Sequence, residues 1–359
     1  MLTFKPEQLH VAATKIFRAA GASEENARIV VDHLIDANLC GHDSHGVIRI
    51  PSYVQSIKRD QLDPAATPAT VRETAAMTLI DANRTFGQVS ALVATDAVVK
   101  KAREHGVAIA GTIRGNHIGR VGYYPTRAAQ RGVALLVAYG TLGSSGAPFG
   151  GRKGALGTNP ISFGFPSGGD TPFLLDFATT AIAAGKVSVA RDKHEPLPPN
   201  SAIDKDGNPT TDPHAVAQGA LLPFGGHKGY ALSLMSALLS RALIRSGDDR
   251  TGEGGAGKPH GGAGADAGVR RTRDEGAGQA KVFFCAIDTS VFGEGAGAEA
   301  ERIFEKMRAT PPAAGFESVL IPGEPEARTA AKRQAEGVPV AEDTWASITK
   351  TAAELDVTL

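Results

Sequence analysis

The 359 residues carry 38 Lys and Arg against 38 Asp and Glu, a formal net charge of zero, with 42% hydrophobic and 21% charged side chains. Such a chain can bury a substantial core as one large domain or as two to three interleaved ones, and its globular proportions exclude wholesale disorder or a membrane protein. Without a basic excess there is no electrostatic pull toward nucleic acid or an anionic membrane, so neither is expected as a partner.

The two cysteines, Cys40 and Cys285, have neither disulfide nor metal spacing, which fits a reducing cytoplasm. No basic segment followed by an apolar run opens the chain, so no secretory signal is expected. The longest apolar stretch, residues 230–244, is too short to span a bilayer.

In chain order, the first forty residues read as two helices. Ser23 caps the second, Glu24 and Glu25 favour its positive end, and Ala27, Val30, Val31 and Leu34 recur at helical spacing until Gly41 ends it. A polar loop, His42-Asp43-Ser44-His45-Gly46, leads to a third helix over 47–58 with Val47, Ile50, Val54 and Ile57 facing inward. Strands and helices then alternate: helix 88–104, strand 107–112, helix 123–130, strands 133–138, 161–165 and 173–176, helix 181–191. That alternation predicts an α/β architecture. Residues 203–213 are dense in turn formers and predict an exposed excursion. Residues 228–245 form the most apolar helix, apolar nearly all round and so expected to be buried. The stretch 247–279, Gly-, Ala-, Asp- and Arg-rich, is expected to be a mobile loop. Strand 281–287, helix 298–308, strand 318–321 and two charged helices complete the chain.

Within that loop Gly252, Gly254 and Gly257 match G-x-G-x-x-G, and 252–258 nearly match a P-loop. Neither has the flanking strand and helix that phosphate binding requires, and Pro259 stands where Ser or Thr is needed. The polar loop at 42–46 is more informative. Ser44 could merely cap the next helix and His45 face solvent. Alternatively both line a cleft with Arg49, one helical turn beyond His45. A guanidinium would clamp a carboxylate bidentately while the imidazole exchanges a proton with the neighbouring oxygen. A Ser44/His45 nucleophile pair is the weaker reading, because adjacent side chains entering a helix diverge. His117 follows a buried strand, where α/β proteins place ligands, although a turn histidine there needs no function. Thr158 sits in a tight turn and could donate to a ligand. Asp176 ends an apolar run and needs a partner. His227 and Lys228 open a helix whose N-terminal N–H groups would favour an anion, or merely mark the helix entry.

Seven segments in order resemble the type 2 malate/L-lactate dehydrogenase family: Gly41-His-Asp-Ser-His-Gly-Val-Ile-Arg49, Gly115-Asn-His-Ile-Gly-Arg-Val-Gly122, Ala147-Pro-Phe-Gly-Gly-Arg152, Leu156-Gly-Thr-Asn-Pro160, Leu174-Leu-Asp-Phe-Ala-Thr179, Gly226-His-Lys-Gly-Tyr230 and Pro322-Gly-Glu-Pro-Glu-Ala-Arg328. The resemblance implies a non-Rossmann α/β fold with a mixed central sheet and a helical N-terminal part. In it, residues 1–75 pack with C-terminal helices 324–359 around a core spanning 76–323. It also implies a homodimer that moves a hydride between NAD or NADP and a small 2-oxo or 2-hydroxy acid. Alternatives are reduction of a cyclic imino acid with NADPH and, from another class, a Ser/His hydrolase. By position it makes Ser44 and His45 the catalytic pair, with His117 the proton acceptor of some members. Arg49 would be the carboxylate residue and Thr158 a substrate contact. Cofactor contacts would be His117, Ile118, Gly119, Arg120, Val121, Thr141, Asp176, Phe177, Ala178, His227, Lys228, Gly323, Glu324 and Arg328, with Arg120 and Arg152 each able to meet a 2′-phosphate or merely solvent; no metal is implied. Lys186 stands where some members carry an acidic relay partner, which tilts the reading toward hydroxy acids.

Overall fold

The computed structural model describes residues 1–245 and 280–359; the loop expected at 247–279, with its glycine matches, lies outside the described residues. In chain order the elements are β1 (Leu2–Phe4), α1 (Pro6–Ala19), α2 (Glu24–Leu39), α3 (Ile50–Lys58), β2 (Ala69–Glu73), β3 (Met77–Asp81), α4 (Gly87–His105), β4 (Val107–Gly115), α5 (Tyr123–Ala129) and β5 (Val133–Tyr139). Then come β6 (Ile161–Phe165), β7 (Phe173–Phe177), α6 (Ala184–Lys193), β8 (Ala202–Ile203), β9 (Pro209–Thr210), β10 (Ala220–Leu221), α7 (His227–Ala237), β11 (Ala280–Asp288), α8 (Ala296–Arg308), α9 (Glu324–Glu336), β12 (Val338–Val340) and α10 (Glu342–Ala353).

The chain divides into two compact units. The first comprises 1–137, 162–176 and 277–359, the second 138–161 and 177–276. The first carries a seven-stranded sheet in the order β2-β3-β4-β11-β5-β6-β7. It is mixed, since β3 runs parallel to β4 while β11 runs antiparallel to β4 and β2 antiparallel to β3. A helical cluster accompanies it. Leu9, Ile16 and Phe17 of α1, Val30, Val31 and Leu34 of α2, Ile50 and Val54 of α3, and Ile348 of α10 share one core, each set recurring at the 3–4 spacing of one helical face. Ser23 caps α2 by accepting the Asn26 N–H at 3.1 Å, and Gly41 turns the chain away with φ +86°. β1 pairs with β12, Leu2 opposite Val340, joining the two ends of the described chain.

In the second unit β10-β8-β9 form a small sheet. The stretch expected to be an exposed excursion therefore starts as a strand, with Ile203 buried and Asp204 accepting the Asp206 and Asn208 N–H groups to close the turn. α7 also departs from expectation. It ends at Ala237, a wider turn carries the chain from Leu238 to Leu243, and the buried positions are Gly229, Ser233, Ser236, Ala237 and Ser240. The reason is close approach. A Cβ on Gly140 would lie 2.4 Å from the Ala237 nitrogen, and Ser240 Oγ takes the Gly140 N–H at 3.0 Å, so only small side chains fit and the leucines turn outward. Leu238 and Leu243 are 55% and 59% exposed. In the first unit, residues 318–321 form no strand. The Ile321 N–H goes to the Glu324 carboxylate and the Pro322 carbonyl takes the Leu174 N–H. No helix among the described residues is long and apolar enough to cross a membrane.

Candidate active site

Two short 3₁₀ turns, Asp43–His45 and Val47–Arg49, follow α2. They are fastened from behind. Buried Asn38 donates to Asp43 Oδ1 at 2.7 Å and accepts the Val47 N–H at 2.8 Å. Arg333 of α9 makes a two-pronged pair with Asp43 at 2.7 and 3.1 Å, and His42 faces Glu326 at 3.7 Å. A Cβ on Gly46 would lie 2.2 Å from Asn38 Oδ1, so the turn closes only on glycine. Asn38→Ala should strand the Val47 N–H and lower stability by about 1–3 kcal/mol. Thermal unfolding checks this, and an unchanged midpoint would mean the loop holds itself.

On this mount Ser44 Oγ lies 2.9 Å from His45 Nδ1. The expected divergence of adjacent side chains does not apply, because that argument assumes α-helical geometry and the pair sits in a tighter turn. Arg49 Nε donates to the Ser44 carbonyl at 2.7 Å, which sets the plane of its guanidinium. The His45 ring stacks on His117, with centroids 5.5 Å apart and planes at 26°. His117 Nδ1 is 2.8 Å from the Tyr53 hydroxyl, which accepts from the Gln88 amide at 2.8 Å. Burial, reinforced by the Arg49 charge, lowers the His45 pKa to about 3, so the imidazole is neutral near pH 7. His45, Arg49 and His117 thus converge in the first unit. Tyr53, Gln88, Asn38 and Arg333 escaped the sequence reading. Tyr53 was findable, since it lies three residues beyond Ile50, on the expected core-facing side of the third helix.

Among the residues after His117, Ile118 and Val121 are core side chains and offer backbone only. A Cβ on Gly119 would lie 2.1 Å from the His33 ring. Arg120 is 3% exposed and pairs with Asp36 at 2.7 Å. It is thus a buried ion pair, which withdraws it as a surface partner for a 2′-phosphate. Its Nη1 is nevertheless buried without a hydrogen-bond partner. Asp176 accepts the Gly122 N–H at 2.8 Å, and burial pushes its pKa up against the opposing pull of Arg120. Glu324 is occupied by Arg308 and the Ile321 N–H, so its carboxylate serves the fold. Gly323 has φ +104° and rests on the Pro172 carbonyl, and Arg328 is exposed.

In the second unit the Thr141 N–H donates to Asn159 Oδ1 at 2.8 Å. Thr158 is half-buried, and its carbonyl accepts both the N–H and the hydroxyl of Thr179. Phe177 packs edge-on against Phe224, and Ala178 is half-buried. His227 and Lys228 are exposed at the start of α7, but the Lys228 and Gly229 N–H groups already bond the Gly225 and Phe224 carbonyls. The expected free amides are fewer than a bare helix start provides. Arg152 and Lys186 are exposed.

The sequence profile of the malate/L-lactate dehydrogenase family matches residues 4–349. Hydroxycarboxylate dehydrogenase B of Escherichia coli (strain K12) is 36% identical over 361 aligned positions, covering 98% of this chain and 94% of that protein. A Delta(1)-pyrroline-2-carboxylate reductase of Ancylobacter novellus is 33% identical over 342 positions, covering 93% and 92%. The solved structure of a putative malate/lactate dehydrogenase from E. coli superposes with a TM-score of 0.86 at 36% identity, covering 100% of this chain and 96% of that one. The chain belongs to the malate/L-lactate dehydrogenase family and is an oxidoreductase of its mixed-sheet α/β fold.

Proposed function

We propose that the chain interconverts a small 2-oxo acid and its 2-hydroxy acid with NADH or NADPH as hydride carrier. The observation that carries this reading is Arg49, held in plane by the Ser44 carbonyl beside the stacked pair His45 and His117. A carboxylate seated on the guanidinium fork brings the adjacent C2 oxygen toward imidazole.

Each unit, taken by itself, carries residues of the kind that a dinucleotide needs. In the first, the orphaned Arg120 Nη1 is a buried donor awaiting an acceptor, and His117, Ile118, Gly119, Val121, Asp176, Gly323 and Arg328 supply backbone and side-chain contacts. In the second, Thr141, Phe177, Ala178, His227 and Lys228 do so, with Lys228 the natural charge for a phosphate at the positive end of α7. When bound, a reduced nicotinamide supplies the hydride delivered to C2. Arg49 binds and orients the substrate, and Ser44 steadies His45. A histidine, His45 in this reading with His117 beside it, gives the developing alkoxide its proton. The low pKa of His45 is compatible with that role, because a carboxylate on Arg49 offsets the second cause of the depression and an alkoxide favours the protonated ring. The relatives named above are a dehydrogenase and a reductase, which speaks against a Ser/His hydrolase.

Reduction of a cyclic imino acid is the second reading, motivated by the name of the Ancylobacter relative. We also place the protein in the cytoplasm as a homodimer. The outward leucines Leu234, Leu238 and Leu243 support the dimer, since a second copy would cover them. The test is loss of absorbance at 340 nm with each nucleotide against a panel of 2-oxo acids and one cyclic imine, on material sized by sedimentation equilibrium. Turnover of a 2-oxo acid is expected. Turnover of the imine alone transfers the chain to the second reading, silence with every pair removes both, and a monomer removes the dimer.

A further inference from the structure

Behind His117 lies a polar chain that the proposed reaction does not itself call for. Gln88, in the first turn of α4, is 1% exposed. Its Nε2 donates to the Tyr53 hydroxyl at 2.8 Å, and that hydroxyl lies 2.8 Å from His117 Nδ1. Tyr53 is buried between the rings of Phe17 and Phe86, at centroid distances of 6.4 and 6.2 Å. The His117 backbone is pressed onto the start of α4 so closely that a Cβ on Gly87 would stand 2.3 Å from the His117 carbonyl oxygen. Position and orientation are therefore both fixed from outside the site.

A phenol has one proton. When its oxygen accepts from the Gln88 amide, that proton is directed at His117 Nδ1, and a ring nitrogen that accepts carries no proton of its own. We infer that Gln88 and Tyr53 are positioning residues that set the tautomer of His117, leaving the neutral ring's proton on Nε2. The inference deepens the proposed function and rests on its reading of His117 as a proton-handling group. The opposite amide orientation would bury an NH₂ group, two donors, without partners. The orientation observed leaves only the Gln88 Oε1 unpartnered, the smaller loss.

Tyr53 orients and does not relay. Burial drives its pKa up to about 12, so the phenol keeps its proton. The consequence is directional. A histidine with its proton on Nε2 makes that atom, and not Nδ1, its donor toward an oxygen that gains charge, as in reduction of a 2-oxo acid.

The test uses the full chain labelled with ¹⁵N-histidine, His117 being assigned by the signal lost in His117→Asn, with two-bond ¹H–¹⁵N correlations recorded near pH 7.5. The expected result is a protonated Nε2 and a bare Nδ1. Tyr53→Phe should convert the ring to a tautomer mixture and lower kcat about tenfold at unchanged KM, with a displaced pH profile. Gln88→Met should move the tautomer the same way, and it carries the test if the Tyr53 variant does not fold. A wild-type ring protonated on Nδ1, or a tautomer indifferent to both substitutions, overturns the inference. The expected tautomer in a protein that turns over no 2-oxo acid would uphold it and overturn the proposed function instead.

Discussion

Arg49→Lys is expected to lower kcat/KM for a 2-oxo acid by about 10³-fold, with the loss falling on kcat as well as KM. Two effects combine. A charge-assisted hydrogen bond contributes about 1.5–3 kcal/mol, and each 1.4 kcal/mol is about tenfold, so losing one of the two prongs costs about 10- to 100-fold. Lysine also has no Nε–H to fix against the Ser44 carbonyl, now held at 2.7 Å. The ammonium then swings as a point charge, and misplacing the reacting carbon by about 1 Å can cost a further ~10². The fold should barely notice, because Arg49 is half-buried, and one lost hydrogen bond shifts the unfolding midpoint of a chain this size by only about 2–4 °C. Steady-state kinetics with a saturating nucleotide decide the matter. Near-normal kcat/KM in a folded variant would take the carboxylate away from Arg49.

Where periodicity was long, the sequence was a good guide. α2 with its Ser23 cap, β6, and the core positions Val47, Ile50 and Val54 lie where the apolar spacing puts them. The misses share a cause, which is that the deciding partner is distant in sequence. β1 and β12 have three residues each, too few for a period, and exist because each completes the other across 334 or more residues of chain. α7 reads as a buried helix because hydropathy counts its leucines, yet a close backbone approach at Gly140 reserves the inner face for Gly, Ser and Ala. The alternation of apolar and small residues does not say which side that approach takes.

The candidate site divides the same way. His45 and Arg49 are legible from an i, i+4 spacing, and His117 from its place after a strand. That the two histidines stack is set by tertiary packing of α3 against the start of α4, visible only in three dimensions. Arg120 illustrates the converse. A cation in a glycine-rich motif invites a phosphate, but Asp36, a full 84 residues away, takes its Nε and Nη2 as a buried pair and leaves only Nη1 for anything else. Chemistry read from a motif alone cannot tell a ligand contact from an ion pair that serves the fold.

That buried cluster leads to the second large effect, on stability against pH. His33 is fully buried, and its Nε2–H donates to the Arg120 carbonyl at 3.1 Å while Nδ1 has no partner. Protonating Nδ1 would bury a second cation beside Arg120. Burial first, then the Arg120 charge, lowers the His33 pKa from 6.5 to about 3, against the opposing pull of the carbonyl. Since the folded value lies below the unfolded one, the unfolded chain takes up the proton first. The contribution is therefore whole above pH 6.5 and is lost as pH falls toward 3. At about 1.36 kcal/mol per unit, the fall from pH 6.5 to 4 should remove about 3 kcal/mol. His45 titrates in the same window and adds less, being half-buried. His33→Gln keeps an N–H for the Arg120 carbonyl and has no proton to take up. Its urea-unfolding free energy should accordingly start about 1 kcal/mol lower at pH 7 and then decline with pH by one proton less than the parent. Parallel curves for the two proteins would mean that the acid sensitivity of the fold arises elsewhere, and that the His33 cavity admits the charge after all.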